Sequence, residues 1–459
     1  MNTINLSPEF CSHNGTVILS SSEDTILIGM IDVENQVLRT RIEKAYPGIN
    51  IRFECIDLDS FKLKLSRLFS EDRVTEELVS RKKKLETTSH FIIDKIENDA
   101  PLINLLNSIF LEAISLSASD IHIETESEET QVRFRIDGLL VPIIKISLEK
   151  SLAVSARLKL LANLNVLENR RPQDGRIDII FDGYSLDVRI SITPTVYGES
   201  IVLRLLNRTD TALSLEELGF NKIHLSLIEK ILELKSGLVL VSGPTGSGKT
   251  TTLAALLRVL NKSEIKIICI EDPVENRIKG ITQIQTNDEI GLSFETYLRR
   301  IFRQDPDIIM IGEIRDIETA ELAIRAAMTG HLVFATIHTN TALEATLRLG
   351  NMGIPSYLIS SVLRSVIGQR LLRRICTVCL GKGCSHCSKT GYKGRIVVSE
   401  IVIVDSLMAE KIAEGKTSAE LKKQLEIQKF YTIQDDAKAK VAEQITTLDE
   451  VKREFGGQW

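Results

Sequence analysis

The sequence predicts an α/β protein of several domains, of which the largest has a mostly parallel sheet covered by helices on both faces. Three observations support this prediction. At 459 residues the chain is too long for one ordinary domain. From Gly237 to about Gly368, short apolar segments alternate with helical stretches, which is typical of a parallel sheet. A glycine-rich loop at 243–250 follows the apolar run at 238–241, as a phosphate-binding loop follows its strand.

The order of patterns along the chain predicts the domain organisation. Residues 15–70 alternate short apolar runs with charged helical stretches, which indicates a small α/β domain. A polar stretch containing four consecutive positions Arg81-Lys-Lys-Lys is typical of a linker. A helix over 103–116, followed by strand-like segments, indicates an α+β domain. The predicted segments are a small N-terminal domain at 1–72, a linker at 73–97, the α+β domain at 98–207, the P-loop domain at 208–375, a cysteine segment at 376–395 and a charged helical region at 396–459.

Charge and hydropathy exclude several classes of protein. The chain has 57 basic and 62 acidic side chains and a formal net charge of -5, so it lacks the overall positive field that attracts nucleic acid. No apolar run approaches the ~18 residues that span a bilayer. The amino terminus lacks the charged and apolar sections of a signal peptide. We therefore expect a soluble, cytoplasmic protein.

The glycine-rich loop has the residue types needed to bind the phosphates of ATP. Its three glycines allow consecutive backbone N–H groups to turn toward the phosphates, and the following helix adds the positive end of its dipole. Lys249 is expected to reach the β and γ phosphates, and Thr250 to place its hydroxyl on Mg²⁺. The predicted nucleotide contacts are Gly243, Pro244, Thr245, Gly246, Ser247, Gly248, Lys249, Thr250 and Thr251.

Three later strands of the same domain end in polar residues. Glu271, Asp272 and Glu275 follow one strand, Glu313 follows the next, and His338 follows a third. Because parallel strands present their carboxyl ends at one edge of the sheet, we expect these side chains to converge on the nucleotide. Taken singly, each of them could instead cap a helix or be a satisfied core group.

These polar residues suggest separate roles in hydrolysis. Glu313 is the first candidate for orienting or activating the attacking water, and Glu271 is the alternative. Asp272 and Glu275 are suited to the water shell of Mg²⁺. His338 is placed to sense the γ phosphate.

Four cysteines lie close together near residue 380. Cys376 and Cys379 form one Cys-x-x-Cys pair, and Cys384 and Cys387 form a second pair four residues later. Two such pairs can close a tetrahedral shell around one Zn²⁺ ion in a structural site. Reduced free thiols and a redox disulfide are the alternatives, and His386 could replace one sulfur.

Two arginines of the 98–207 segment are further candidates. Arg176 and Arg189 lie in a region punctuated by proline and glycine, where a solvated surface position is the usual reading. An arginine delivered from a neighbouring subunit accelerates phosphoryl transfer by roughly 10³ to 10⁵. Either residue is therefore a candidate for such a role.

Together, these motifs resemble those of the ATPases of type II secretion and type IV pilus assembly, over about residues 98–455. In addition to the P-loop, 271–275 resembles the family's aspartate box, 303–316 its atypical Walker B segment, and 329–340 its histidine box. The segments 118–124 and 171–176 are similar to motifs of the domain that precedes the ATPase core. The cysteine pairs are similar to the zinc-binding insert of the family.

The resemblance implies a RecA-like P-loop core in a hexameric ring that hydrolyses ATP with Mg²⁺. Arg176 and Arg189 would complete the nucleotide site of the neighbouring subunit. The implied partners are an inner-membrane platform protein and a membrane-anchored docking protein, with no direct contact to nucleic acid. The protein would then be cytoplasmic and peripherally associated with the inner membrane through those partners.

Other functions remain open from the sequence. A pilus-retraction motor resembles the core alone, without the first domain or the cysteine pairs. A nucleic-acid translocase shares the P-loop sheet, but the net acidity and the terminal position of the single tryptophan, Trp459, disfavour it. A scaffold that only binds ATP is disfavoured because no expected catalytic residue is missing.

Overall fold

A computed structural model describes residues 15–21, 25–33, 35–45, 50–57, 100–181, 184–207, 213–287, 290–427 and 430–456, together with residues 11, 60, 61 and 64. The chain divides into two compact units, residues 1–207 and 208–459. The predicted linker at 73–97 and Trp459 lie outside the described residues. Among the described residues, no helix is long and apolar enough to cross a bilayer.

The first unit begins with a small three-stranded sheet. Its strands β1 (Thr16–Ser21), β2 (Thr25–Met30) and β3 (Asn50–Cys55) lie in the order β1-β2-β3. β1 and β2 are antiparallel, whereas β2 and β3 are parallel and are joined through helix α1 (Gln36–Ala45). Ile26, Ile28 and Met30, alternate residues of β2, form the local core together with Ile42 of α1, as a period of two in the strand requires.

The same unit contains a six-stranded antiparallel sheet with the order β6-β5-β4-β9-β8-β7. Apolar residues from helices α2 and α3 join its core, and the side chain of Ser147 caps the N-terminus of α3. Its elements are α2 (Ala100–Ser115), β4 (Asp120–Thr125), β5 (Glu129–Ile136), β6 (Leu139–Ser147), α3 (Leu148–Leu161), β7 (Gln173–Phe181), β8 (Tyr184–Pro194) and β9 (Glu199–Asn207).

The second unit is built on a seven-stranded sheet with the order β12-β11-β13-β14-β10-β15-β16. All neighbouring strands are parallel except the last pair, β15 and β16. The strands are β10 (Gly237–Ser242), β11 (Ile267–Glu271), β12 (Thr282–Gln285), β13 (Ile308–Ile311), β14 (Leu332–Ile337), β15 (Leu363–Ile375) and β16 (Tyr392–Ile403).

Both faces of this sheet are covered by apolar side chains. In β10, Leu238 and Leu240 pack in one core cluster, whereas Val239 and Val241 pack in another on the opposite face. This explains why the strand reads as an uninterrupted apolar run. The helices are α4 (Leu215–Leu218), α5 (Lys222–Leu232), α6 (Lys249–Leu260), α7 (Phe294–Ile301), α8 (Ile317–Met328), α9 (Ala342–Asn351), α10 (Ser356–Val362), α11 (Ser406–Ala413), α12 (Ser418–Ile427), α13 (Ile433–Ala442) and α14 (Leu448–Phe455).

One sequence prediction is wrong in this unit. The region from 396 to 459 was expected to be helical, but its first residues belong to β16, which pairs with β15 over nearly its whole length. The β-branched run Ile396-Val397-Val398 is buried there on both faces of the sheet. The helical region begins only at Ser406.

Candidate active site

The glycine-rich loop joins β10, near the middle of the sheet, to the N-terminus of α6. Gly243, Gly246 and Gly248 have φ values of 151°, 78° and 85°, a region that side-chain-bearing residues rarely adopt. Gly248 is the N-cap of α6, so the first turn of that helix points its free N–H groups into the loop. The loop therefore has the backbone of an anion site.

Lys249 is the first residue of α6 and is only 8% exposed. Its ammonium donates hydrogen bonds of 2.9 Å to the carbonyl oxygens of Gly243 and Pro244. Burial lowers the pKa of Lys249 to about 8, although the carboxylates of Glu313 and Glu275 act in the opposite direction. The cation is thus held inside the loop, where phosphate oxygens would be better partners than carbonyl groups.

The remaining predicted residues of the loop differ in exposure. Thr245 and Thr251 are exposed and Thr250 is half-buried, whereas Ser247 is buried. Thr250 follows Lys249 within the first turn of α6.

The carboxyl ends of three neighbouring strands meet beside this loop. The N–H of Gly312, after β13, donates to the carbonyl of Ile270 in β11 at 2.7 Å. The N–H of Ile314 donates to the carbonyl of Thr336 in β14 at 2.9 Å, and the Thr336 hydroxyl donates back to the carbonyl of Gly312 at 2.5 Å. These bonds hold the segment containing Glu313 between the neighbouring strands.

Glu313 lies at the centre of a cluster of charged side chains. It forms an ion pair with Arg315, and one of its carboxylate oxygens is 3.6 Å from Nε2 of His338. Arg315 also lies 4.0 Å from a carboxylate oxygen of Asp272. Burial lowers the pKa of His338, and the positive charge of Lys249 lowers it further. The predicted residues from three strand ends are therefore brought together.

Glu271 is at the same edge but is buried, with 3% exposure. Its carboxylate accepts a 2.8 Å hydrogen bond from the side-chain amide of Gln283 in β12. Burial raises the pKa of Glu271 to about 7, in spite of that hydrogen bond. Asp272 and Glu275, in contrast, are exposed. The sequence pattern did not single out Gln283, because a polar residue in a short edge strand is unremarkable on its own.

A cleft of about 420 Å³ opens next to the loop. Pro244 of the loop and His338 both line it, so it adjoins the charged cluster. The other lining residues are Thr339, Asn340, Glu344, Leu347, Arg348 and Asn351.

The two predicted arginines belong to the other compact unit. Arg176 in β7 and Arg189 in β8 are directly opposite each other in the antiparallel pair. The guanidinium of Arg176 is bonded to the carboxylate of Asp187, with a distance of 2.6 Å from Nε. Arg176 is exposed and Arg189 is half-buried. Asp187, which orients Arg176, was not a sequence candidate.

The four cysteines form one compact group between β15 and β16. All four sulfurs lie within 4.8 Å of one another, and three of the pairs are separated by 3.9, 3.7 and 3.7 Å. A tetrahedral ion with metal–sulfur bonds of about 2.3 Å holds its sulfurs about 3.8 Å apart. The cysteines Cys376, Cys379, Cys384 and Cys387 could therefore hold one metal ion, in a group that does not include His386.

Backbone N–H groups also point at these sulfurs. The backbone nitrogen of Gly383 lies 3.2 Å from Sγ of Cys379. Sγ of Cys387 lies 3.2 Å from the backbone nitrogen of Cys384 and 3.3 Å from that of Gly391. Such donors stabilise thiolates, the form in which cysteine binds metal.

The chain is similar to known secretion and pilus-assembly proteins. A family model described as Type II/IV secretion system protein matches residues 95–453. The chain is 41% identical over 382 residues to the type II secretion system ATPase E of Vibrio cholerae, covering 78% of this chain and 76% of the relative. It is 40% identical over 397 residues to the type IV pilus assembly ATPase PilB of Myxococcus xanthus, covering 80% of this chain and 70% of PilB.

Solved structures give the same fold. The pilus retraction motor PilT with bound ADP matches with a TM-score of 0.55 and 29% identity, over 75% of this chain and 95% of PilT. The ATPase DotB of Legionella pneumophila matches with a TM-score of 0.61 and 23% identity, over 76% of this chain and 94% of DotB. The predicted fold class, an α/β protein with a P-loop ATPase core, is confirmed.

Proposed function

Because this chain belongs to the Type II/IV secretion system protein family, we propose that it is a hexameric motor that assembles a type II secretion pseudopilus or a type IV pilus. The chain is an ATP hydrolase, as are the named members of its family. The single observation that supports the motor most directly is the convergence of Lys249, Glu313 and His338 beside the P-loop.

ATP binding follows from the backbone and charge of the loop. The N–H groups of the loop and of the first turn of α6 bind the β and γ phosphates, and the Lys249 ammonium exchanges its carbonyl partners for phosphate oxygens. The Thr250 hydroxyl would hold Mg²⁺, and the exposed carboxylates of Asp272 and Glu275 would hold its water shell. The ion would neutralise charge that develops on the phosphates.

We propose that Glu313 orients the attacking water. Arg315 and His338 fix the position of its carboxylate, which would accept a hydrogen bond from the attacking water while His338 contacts the γ phosphate. Glu271 remains the alternative, since a carboxyl group with a pKa near neutrality is well matched to proton transfer. Replacement of each by glutamine separates the two roles, because only the residue that handles the water should reduce kcat by two or more orders of magnitude.

Arg176 and Arg189 are proposed to act on the site of the neighbouring subunit in the ring. The bond to Asp187 supports this role for Arg176, because it limits the motion of an otherwise exposed guanidinium. Loss of an arginine that acts in this way would lower kcat by roughly 10³ or more, with little change in nucleotide affinity of the isolated chain.

The partners are proposed from the names of the relatives. A motor for type II secretion or type IV pilus assembly, the processes named for the relatives, would act with an inner-membrane platform protein and a membrane-anchored docking protein. The motor would then be cytoplasmic and peripherally bound to the inner membrane through them, without direct contact to nucleic acid. The four-cysteine group would hold a structural Zn²⁺, because its sulfur spacing fits a tetrahedral ion.

The first test is ATPase activity as a function of protein concentration, for the wild type and Glu313→Gln, with particle size measured on the same samples. A ring with sites between subunits predicts specific activity that rises as hexamers form, is unaffected by DNA, and falls at least 100-fold in the variant. Activity that does not depend on concentration would contradict the ring, and strong stimulation by DNA would favour a nucleic-acid translocase.

The direction of the motor needs a second test, since PilT is a retraction motor of similar fold. The 40–41% identity to an assembly ATPase and a secretion ATPase favours assembly. Cells that lack this chain should contain no assembled fibre if it is an assembly motor. Fibres that persist and cannot retract would show the opposite direction.

A further inference from the structure

A buried glutamine in the strand next to β10 contacts the P-loop. Gln369 is in β15, the strand next to β10, and is 1% exposed. Its neighbours on the same face, Ile367 and Leu371, belong to the hydrophobic core that also includes α6. A polar side chain in that position requires a polar partner, because burial of an unpaired amide is costly.

The partner is the P-loop itself. Nε2 of Gln369 donates a 2.7 Å hydrogen bond to the carbonyl oxygen of Ser247. The main chain of Gln369 also touches the start of the loop, since a Cβ added to Gly243 would lie 2.4 Å from its carbonyl oxygen. An added Cβ at Gly248 would lie 3.3 Å from Nε2. One residue of β15 therefore contacts both ends of the loop.

The geometry points to Gln369 as a positioning residue for nucleotide binding. In a trans peptide the C=O of one residue and the N–H of the next point in opposite directions. By holding the Ser247 carbonyl toward the sheet, the amide of Gln369 directs the N–H of Gly248 away from the sheet and toward the phosphates. Gln369 makes no contact with the nucleotide in this role and acts only through the loop.

The polar atoms around this bond support a specific role over simple packing. Oε1 of Gln369 and Oγ of Ser247 are both buried, and neither has a hydrogen-bond partner among the described residues. An apolar residue of similar size would fill the same space without leaving such an atom. What the glutamine provides in return is the fixed orientation of one P-loop peptide.

The test compares Gln369→Met with a matched control on the same strand. Methionine keeps the unbranched shape and removes the donor. Ser365 is also buried in β15, and its hydroxyl donates a 2.9 Å hydrogen bond to the carbonyl oxygen of Val402 in β16. Ser365→Ala therefore removes one buried hydrogen bond that does not involve the P-loop. The dissociation constant of Mg·ADP, the ATPase parameters and the Tm without nucleotide are measured for both variants and the wild type.

We expect Gln369→Met to raise the Kd of Mg·ADP and the KM for ATP about tenfold, the effect of losing one hydrogen bond to a buried group, with kcat changed less than threefold. Ser365→Ala should lower the Tm about as much as Gln369→Met does, and it should leave the Kd of Mg·ADP within twofold of the wild-type value. A Kd within twofold in Gln369→Met, or an equal rise in both variants, would overturn the inference.

A second variant and a measurement on the wild type complete the test. If Gln369→Met does not fold, Gln369→Asn retains an amide that is one methylene too short to reach Ser247, and it must also raise Kd. An unchanged Kd in that variant overturns the inference. Because the inference rests on nucleotide binding at this loop, wild-type protein that fails to bind Mg·ADP would overturn the proposed function as well, whereas failure of the variants alone leaves that function intact.

Discussion

Replacement of Glu271 by glutamine tests how burial controls the charge of the site. Glutamine has the same shape as glutamate but cannot ionise, and its carbonyl oxygen can still accept the hydrogen bond from Gln283. In the wild type, burial raises the pKa of Glu271 from 4.5 to about 7. Unfolded chains take up and release the proton near 4.5, so the folded state binds more protons between these two values.

The magnitude follows from the size of this shift. A rise of the pKa from 4.5 to about 7 corresponds to about 3 kcal/mol, which the folded wild type loses as the pH rises from 4.5 to 7. Most of this change, about 2 to 3 kcal/mol, falls between pH 5 and pH 8 when both titrations are included. The free energy of unfolding of Glu271→Gln, relative to the wild type, should therefore increase by this amount over the same interval.

The assay is thermal unfolding of both proteins without nucleotide at pH 5, 6, 7 and 8. For a unit of about 250 residues, this change corresponds to a relative Tm increase of roughly 5–10 °C. Glu229→Gln is the control, because Glu229 is an exposed carboxylate of α5 and is not among the groups that shift the pKa of Glu271. A Tm difference between Glu271→Gln and the wild type that stays constant from pH 5 to pH 8 would refute the reasoning.

Four other predictions follow from the same structure. At pH 8, where Lys249 is about half protonated, nucleotide binding should take up roughly half a proton, measured by calorimetry in buffers of different ionisation enthalpy; uptake that persists in Lys249→Met would contradict this. Gly243→Ala should lower the Tm more than Gly246→Ala, because its Cβ would lie 2.4 Å from a carbonyl oxygen, whereas a Cβ at Gly246 meets nothing within 4 Å; equal losses would count against the clash. Cys384→Ser should remove bound Zn²⁺ measured by elemental analysis, whereas a variant of the exposed Cys55 should retain it; metal-free wild type would disprove the site. Glu450→Gln should cost about 3 kcal/mol in urea unfolding, because the buried carboxylate accepts hydrogen bonds from two arginines; a loss below 1 kcal/mol would contradict that pairing.

Much of the fold and part of the site could be predicted from local patterns. The apolar run before Gly243 and the spacing of the glycines identify a strand followed by a phosphate-binding loop, because both depend on residues that are neighbours in the chain. The polar residues after β11, β13 and β14 could be expected at one edge, since parallel strands end together. The grouping of the four cysteines could likewise be predicted, because the two Cys-x-x-Cys pairs are close together in the chain.

The sequence thus determined most of the element types, the position of the nucleotide loop and the candidate residues around it, while the tertiary structure decided how those residues are held. Gln369 reaches the P-loop from 122 positions away, and the burial that raises the pKa of Glu271 depends on its neighbours in space. The assignment of 396–403 to an edge strand required knowledge of its partner β15. Hydrogen bonds and desolvation act over a few ångströms between segments that are distant in sequence. They therefore cannot be predicted from the periodicity and spacing of residues along the chain.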